Sequence, residues 1–256
     1  MLIRLIEYQP FDPFFNMAVD EAISSLVRKD VVPPTLRLYG WEKMAITLGE
    51  FQKLDEVNYE SCLQMKIDIV RRPTGGKGIL HYNDLTYSFS AKKEGRFRGN
   101  LFHNYETLSQ IFAKAFILTG ISVEIKREKR SYNKSSLCFA LSSFGEICFK
   151  DIKIIGSAQK RWTDGFLQQG TIPITVNREL LKAVFKSSSS EADKIFGIEE
   201  LCDNFDISVF QRNIKLALKE EGFDFEVGSL TDEELALAEK LLRERYYQKV
   251  LFPRSL

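Results

Sequence analysis

The order of strand-type and helix-type segments most constrains the fold of this 256-residue chain. Alternating β-branched and aromatic residues fill its middle, as in GEICFKDIKIIGSAQKR and GFLQQGTIPITV. Helical spacing of apolar residues marks both ends, as in FDPFFNMAVDEAISSLVRK and SLTDEELALAEKLLRERYYQKVL. Strands grouped between helices favour an α+β fold over a doubly wound parallel sheet. We therefore predict a mixed or antiparallel sheet backed by helices.

A single domain over residues 1–256 is the predicted organisation, with the C-terminal helices of about residues 205–256 as its extension. A chain of this length can bury a substantial core without disulfides. The formal net charge of +1 gives no support to a nucleic-acid or membrane-surface partner. The first residues contain too short an apolar run for a signal peptide, and no segment is long enough to span a bilayer. We expect a cytoplasmic protein.

Three local predictions concern helix ends and turns. We expect Asn104 to cap the helix in NYETLSQIFAKAFILTG and Gly120 to end it. We expect Thr231 and Glu234 to form a capping box at the start of the last helix. The segment Asn83–Asp84 is predicted to be the turn of a hairpin between GILHY and LTYSFSA.

The segment RRPTGGKGILH, residues 71–81, places three glycines and two arginines after a predicted strand. A Walker A loop is excluded because Lys77 is followed by Gly78 rather than by Ser or Thr. The glycine order also excludes the dinucleotide fingerprint G-x-G-x-x-G. A tight turn remains possible, but Arg71 and Arg72 suit an anionic or carbonyl-rich ligand.

These residues resemble a signature of the biotinyl/lipoyl protein ligase superfamily, which includes lipoate-protein ligases, octanoyltransferases and biotin ligases. RRPTGGKGILH is similar to the pattern R-R-x-[ST]-G-G-x-x-x-x-H. KIIGSAQKRWTDGFLQQGTIPI is similar to K-x-x-G-S-A-x-x-R followed by [HQ]-[HQ]-G-[ST], and NMAVDEA is a third match. The resemblance covers about residues 1–220, implies the same α+β fold and implies that the motifs line an acyl pocket. The implied substrate-binding residues are Arg71, Arg72, Thr74, Gly75, Gly76, Lys77, Gly78, His81, Gly156, Ser157, Ala158, Gln169, Gly170 and Thr171.

A further stretch, SLCFALSSFGEICFKDIKIIGSAQ, resembles the cysteine-dependent octanoyltransferase branch of this superfamily. The resemblance implies that Cys138 is a nucleophile and that Lys153 favours its thiolate, polarises the acyl carbonyl and assists proton transfer. Without it, Cys138 would be an inert core residue and Lys153 a solvated strand lysine. His81 would support the acyl pocket or an oxyanion site, or serve as a hydrogen-bonded structural residue.

The resemblance implies a reaction as well. An octanoyl group would pass from acyl carrier protein through a thioester on Cys138 to a lysine of a lipoyl domain. The expected acceptor is the glycine-cleavage H protein, and neither cofactor nor metal is implied. Two alternatives remain. One is an ATP-dependent lipoate or octanoate ligase, in which Arg71, Lys77 and Lys153 would face the phosphate of an acyl-adenylate. The other is a non-catalytic binding module of the same fold.

The sequence departs from the family pattern at Gln168 and Gln169, because the family often has a histidine in this strand motif. The departure affects the expected contact to the acyl carbonyl. It therefore leaves the preference between octanoyl and lipoyl groups open.

Overall fold

The computed structural model describes residues 1–126, 145–186, 189–203 and 205–247, with the backbone alone at 189 and 190. The strands within these ranges are β1 (Leu2–Phe11), β2 (Thr35–Trp41), β3 (Ala45–Leu48), β4 (Asp68–Arg71), β5 (Ile79–His81), β6 (Asn83–Lys92), β7 (Glu124–Ile125), β8 (Ile147–Phe149), β9 (Ile152–Lys153), β10 (Gly156–Arg161), β11 (Gly165–Thr175) and β12 (Asp224–Gly228). The helices are α1 (Pro13–Arg28), α2 (Tyr59–Gln64), α3 (Leu101–Leu118), α4 (Arg178–Val184), α5 (Ser189–Ala192), α6 (Ile198–Leu201), α7 (Ile207–Glu220) and α8 (Asp232–Leu241).

A six-stranded mixed sheet forms the centre of the fold, in the order β10-β11-β6-β2-β1-β12. Strands β2 and β12 run parallel to β1, whereas β6, β10 and β11 pair with their neighbours in antiparallel fashion. Two three-stranded sheets, β4-β3-β5 and β7-β8-β9, accompany it. This arrangement confirms the predicted α+β fold with mixed sheets and flanking helices.

Helices cover both faces of the large sheet because successive side chains of a strand point to opposite sides. On one face Tyr87 of β6 packs against Phe112 of α3, with ring centroids 4.1 Å apart. On the other face the next residue, Ser88, donates a 2.7 Å hydrogen bond to Asp20 of α1. Helices α3 and α7 therefore enclose the larger core, and α1 and α8 enclose a second core.

The small β4-β3-β5 sheet has its own apolar cluster with α2 and α4. Ile46 of β3, Ile69 of β4, Cys62 of α2 and Val184 of α4 are each fully excluded from solvent. This sheet therefore provides a rigid support for the glycine-rich segment that runs from β4 to β5.

Helix ends follow local chemistry. Asp12 caps α1, and the carboxylate accepts the backbone N–H of Phe14 at 2.9 Å. The predicted capping box of Thr231 and Glu234 is confirmed at α8. Gly120, with φ of 87°, follows the end of α3 as predicted.

The predicted cap of α3 is wrong, because Asn100 rather than Asn104 accepts a first-turn N–H. Asn104 lies inside the helix and is fully buried. The helix begins one turn earlier because Asn100 offers the same Asx cap there.

The predicted hairpin at Asn83–Asp84 is also wrong. Strand β5 pairs with β3 in the small sheet, whereas β6 begins at Asn83 and pairs with β2 and β11 in the large sheet. The two consecutive strands therefore belong to different sheets. Strand β12 was not predicted, and it adds an edge to the large sheet from the C-terminal region.

In the described part of the chain, no helix has the length and apolar character needed to cross a membrane.

Candidate functional site

Residues from both predicted motifs line one open cavity of about 300 Å³, at the junction of the large sheet and the β4-β3-β5 sheet. The predicted residues in its wall are Arg72, His81, Gly156, Ser157, Ala158, Gln169, Gly170 and Thr171. The other lining residues are Met17, Tyr39, Trp41, Thr47, Ile79 and Thr86. The structure thus brings together two segments that are far apart in sequence.

Gln169 of β11 is held in this wall from both ends of its amide. Its Oε1 accepts a 2.8 Å hydrogen bond from the hydroxyl of Thr74, and its Nε2 donates a 2.7 Å hydrogen bond to Asp20. All three residues are buried. Because the carboxylate can only accept, the orientation of the amide is fixed. Thr74, although outside the cavity lining, therefore positions a residue of the wall.

Asp20 connects the NMAVDEA segment of α1 to the cavity. Its carboxylate is fully buried and also accepts hydrogen bonds from Arg37 at 2.8 Å and from the Tyr39 hydroxyl at 2.7 Å. Arg37 bonds Asn16 Oδ1 at 2.5 Å. Burial and the adjacent Asp20 charge raise the pKa of Tyr39 well above its usual value, so this phenol remains a donor.

His81 is a buried part of the wall with partners on both ring nitrogens. Its Nδ1 lies 2.9 Å from Asp84 Oδ2, and its Nε2 lies 2.9 Å from the Thr47 hydroxyl. The ring stacks on Trp41 with centroids 3.8 Å apart. Arg72 also donates to Thr47 Oγ1, at 3.3 Å. These contacts hold the His81 ring in the wall of the cavity.

The two arginines of the glycine-rich segment bind backbone carbonyl oxygens. Arg71 Nη1 donates to the carbonyls of Gly49, Glu50 and Gln52 at 2.6, 3.1 and 2.8 Å. These contacts hold residues 49–52 against the end of β4. The structure places Arg71 outside the cavity lining, and any contact of its side chain with substrate stays a prediction.

Arg72 braces the glycine-rich segment itself and also reaches the cavity. Its Nη2 donates to the carbonyls of Gly75 and Lys77 at 2.6 and 2.8 Å, and its Nη1 donates to the Thr47 carbonyl at 3.1 Å. The carbonyl-rich partner expected from the sequence is therefore supplied, in part, by the protein's own backbone.

The glycines permit close packing at specific points. A Cβ at Gly49 would overlap the carbonyl oxygen of Gly76, which itself has φ of 88° in the left-handed region. A Cβ at Gly78 would overlap the Phe185 ring. A Cβ at Gly75 would meet no atom within 4 Å. Packing therefore requires glycine at positions 49 and 78. For Gly75, a position in a wall that faces the substrate stays a prediction.

Lys77 lies half-buried outside the cavity lining. Its Nζ is 3.5 Å from both carboxylate oxygens of Glu56. Glu56 therefore neutralises part of the Lys77 charge, which is then less available to a ligand.

Lys153 is a buried lysine, which excludes the interpretation of a solvated strand residue. Its side chain is 5% exposed, and its ammonium lies 2.5 Å from a carboxylate oxygen of Glu146, which is equally buried. Lys153 precedes Gly156 of the cavity wall by three positions, a backbone span of at most about 11 Å. Lys153 does not line the cavity, and its catalytic role stays a prediction.

Cys138 lies outside the described residues. Of the other cysteines, Cys148 faces Lys153 in the β8–β9 ladder. Burial, reinforced by the Glu146 charge, raises the pKa of the Cys148 thiol to about 11. Burial likewise raises the pKa of Cys62 to about 11. Both are poor nucleophiles at neutral pH because only the thiolate reacts.

Sequence reasoning missed Asp20, Trp41 and Glu146 as contributors to the site. A signal existed for Asp20, which follows Asn16 by one helical turn on a face that is otherwise apolar. The sequence gives no comparable signal for Glu146, because its importance comes from the ion pair that the fold forms with Lys153. Among the described residues, no group of three His, Cys, Asp or Glu side chains is arranged to hold a metal ion.

Comparisons with known proteins agree on one family. A family model described as the lipoyl protein ligase A/B catalytic domain matches residues 12–219. The octanoyltransferase LipM of Clostridioides difficile is 35% identical over 96% of this chain and 98% of its own length. The octanoyltransferase LipM of Brevibacillus brevis is 33% identical over 95% of both chains.

Solved structures share the fold. The chain resembles lipoate-protein ligase A bound with ATP, with a TM-score of 0.82 and 21% identity over 95% of both chains. It also resembles Ta0514 of T. acidophilum with bound lipoic acid, with a TM-score of 0.80 and 19% identity over 97% of this chain and 98% of the other. From the family match and the two relatives above 30% identity, we conclude that this chain belongs to the lipoyl protein ligase A/B catalytic-domain family.

Proposed function

We propose that this protein is an octanoyltransferase of protein lipoylation that works through a thioester on Cys138. The observation that carries the proposal is the convergence of both motifs on one cavity, with Lys153, buried and paired with Glu146, on the strand just before its wall. The relatives named octanoyltransferase LipM, which align along almost the whole chain, support the same activity.

The donor we propose is octanoyl-acyl carrier protein. The Cys138 thiolate attacks the carbonyl carbon, a new C–S bond forms, and the carrier leaves as its thiolate. Exchange between two thioesters has little free-energy cost, so no nucleotide is needed for this step. The octanoyl chain then lies in the cavity.

The acceptor we propose is the ε-amine of a lysine on a lipoyl domain, with the glycine-cleavage H protein as the expected one. The amine attacks the thioester on Cys138, the amide bond forms, the C–S bond breaks, and the amine proton returns to the cysteine sulfur. Lys153 stabilises the thiolate and the oxyanion that forms in both steps. Glu146 pairs with that ammonium in its buried position.

The ATP-dependent ligase is less well supported. It requires cations for the adenylate phosphate, yet the described contacts of Arg71 go to backbone carbonyls, and Lys77 contacts Glu56. The resemblance to lipoate-protein ligase A, at 21% identity, concerns the fold alone.

The described cysteines Cys62, Cys148 and Cys202 are free thiols, which supports the proposal that the enzyme works in the reducing cytoplasm.

The test is intact-mass spectrometry of the full chain after incubation with octanoyl-acyl carrier protein in the absence of nucleotide. We expect the mass of one octanoyl group on the wild type and on Cys148→Ala, and none on Cys138→Ala. Cys148 is the matched control because it is a buried cysteine opposite Lys153. Transfer to a lipoyl domain that persists in Cys138→Ala and requires ATP would instead establish the ligase.

A further inference from the structure

A second cavity lies beside the first, and the two share Ile79 and Thr171 in their walls. It is open to solvent and spans about 450 Å³, solvent at its mouth included, among residues of β5, β6, β11 and α4. Much of its wall is apolar, formed by Leu80, Pro173, Val176, Leu181 and Ile195. Because the cavities are adjacent, one extended ligand could occupy both.

The polar part of this wall contains an acceptor that lacks a partner. Asp84 is 4% exposed in its side chain, and its Oδ2 accepts from His81 and, at 2.7 Å, from Thr86. Within the described residues, the buried Oδ1 has no hydrogen-bond partner. Burying an acceptor without a partner is costly. A ligand that donates an N–H group would therefore complement this wall.

The charge of the wall also restricts the ligand. Among the described residues that line the second cavity there is no lysine, arginine or histidine, and Asp84 contributes a carboxylate. A phosphate group would thus find no cationic partner in the described wall and would meet a like charge. Asn83, Thr175 and Asn177 add neutral polar groups. The wall suits an elongated, uncharged ligand with amide groups and apolar segments.

We propose that the second cavity binds the pantetheine arm of the acyl donor. This inference rests on the proposed function, because it assumes a carrier-linked thioester. The arm is a neutral chain that ends in the thiol and contains two amides and a pair of methyl groups. The N–H of the second amide, next to the end that carries the methyl groups and absent from N-acetylcysteamine, would pair with Asp84 Oδ1, and the methyl groups would contact Val176 and Leu181. The thioester carbon would lie at the shared wall of Ile79 and Thr171, with the octanoyl chain in the first cavity.

The position of Lys153 agrees with this placement. Gly156 lies opposite Thr171 in the β10–β11 ladder, and Lys153 is three positions before Gly156. The shared wall is therefore the part of both cavities that adjoins the strand leading from Lys153. An acyl carbon at this point would lie beside the strand that follows Lys153, the residue proposed to stabilise its oxyanion.

The experiment compares two donors with the full-length protein and a lipoyl-domain acceptor. Octanoyl-pantetheine carries the whole arm, whereas octanoyl-N-acetylcysteamine has the same thioester but ends after the first amide. We expect the wild type to use octanoyl-pantetheine with a kcat/KM at least about tenfold higher, because contacts remote from the reacting bond raise kcat/KM.

Val176→Phe, which fills the second cavity and does not line the first, should reduce this ratio towards one. Val227→Phe is the matched control, since Val227 is 53% exposed on β12, and it should keep the wild-type ratio. Asp84→Asn preserves the shape of the side chain and gives a second variant. It should lower kcat/KM for octanoyl-pantetheine more than for the short thioester.

Each outcome bears on a different claim. Equal kcat/KM values for the two thioesters in the wild type, or a ratio unchanged in both Val176→Phe and Asp84→Asn, would overturn the inference and leave the proposed function intact. Inhibition by ATP that Val176→Phe relieves would assign the cavity to a nucleotide and also overturn it. Failure of both thioesters and of octanoyl-acyl carrier protein to donate would contradict the proposed function itself.

Discussion

Lys153 and Glu146 carry opposite charges, and both side chains are buried. The distance from Lys153 Nζ to Glu146 Oε1 is 2.5 Å. Removing two charges from water is costly, and their attraction offsets this cost only while both are present. The pair therefore has a structural effect in addition to the proposed catalytic one. Variants that remove one or both charges separate the two effects.

We expect Lys153→Gln and Glu146→Gln each to lower the free energy of unfolding by about 3 kcal/mol, since each removes one charge of a buried ion pair. The double variant should regain most of this loss. Octanoyl transfer should fall about 100-fold in Lys153→Gln and remain low in the double variant, because the ammonium is still missing. Urea unfolding and steady-state transfer assays measure the two effects. Activity that recovers together with stability would reduce Lys153 to a structural residue.

Buried thiols predict how stability depends on alkaline pH. The pKa values of Cys62 and Cys148 are raised to about 11 by burial, from a reference value of 9.0. Between these values the unfolded chain loses the thiol proton while the folded chain keeps it, so the unfolding free energy falls as pH rises. We expect the urea midpoint to fall from pH 9 to pH 11, and less steeply in Cys148→Ala. An identical slope in that variant would contradict the assigned burial effect.

Adjacent residues of β11 serve opposite faces of the large sheet. Gln169 lines the cavity and bonds Asp20, whereas Gln168 accepts from Gln159 and donates to the Tyr87 hydroxyl on the α3 side. The alternation of a strand explains this division. The resemblance implied Gln169 rather than Gln168 as a substrate-binding residue, and the structure places Gln169 in the cavity wall; strand alternation alone could not have shown which glutamine faces the cavity.

Because Gln168 and Gln169 lie on opposite faces of the sheet, we expect their substitutions to have different effects. Gln169→Ala should lower kcat/KM for octanoyl transfer by about tenfold, because a group of the cavity wall is lost and Thr74 and Asp20 each lose a partner. Gln168→Ala should lower the free energy of unfolding by about 1–3 kcal/mol and change kcat/KM by less than about threefold. Transfer kinetics and urea unfolding of both variants test this. Equal loss of kcat/KM in both would contradict the assignment of the two faces.

Element type was more predictable than strand pairing. The residues of β5 and β6 have strand character in any sheet, so local alternation could not show that they join different sheets. Asn83 and Asp84 suggested a turn, yet both belong to β6. There the Asn83 side chain bonds Thr175, and the Asp84 side chain bonds His81. Strand β12 escaped prediction because DFEVG is a short edge strand with no buried residue.

At the scale of the whole molecule, the C-terminal region is joined to the scaffold of the site. Strand β12 pairs with β1, and α8 packs against α1, the helix that carries Asp20. Arg4 of β1 forms a buried ion pair with Glu234 of α8, with an Nη1–Oε2 distance of 3.0 Å, and also bonds Thr35 of β2. Beyond α8, Arg245 and Tyr246 both bond Glu21 of α1. These contacts support the prediction of one domain with a C-terminal extension.

The buried Arg4–Glu234 pair allows that prediction to be tested. Glu234→Gln should lower the free energy of unfolding by about 3 kcal/mol and Tm by roughly 6–12 °C, because it leaves Arg4 uncompensated. Glu220→Gln is the matched control, since its ion pair with Lys114 is solvent-exposed, and it should change stability by less than about 1 kcal/mol. Calorimetry should show one transition that shifts as a whole in Glu234→Gln, because α8 and the large sheet unfold together. A separate early transition, with octanoyl transfer retained above it, would show that residues beyond about 205 form an independent unit.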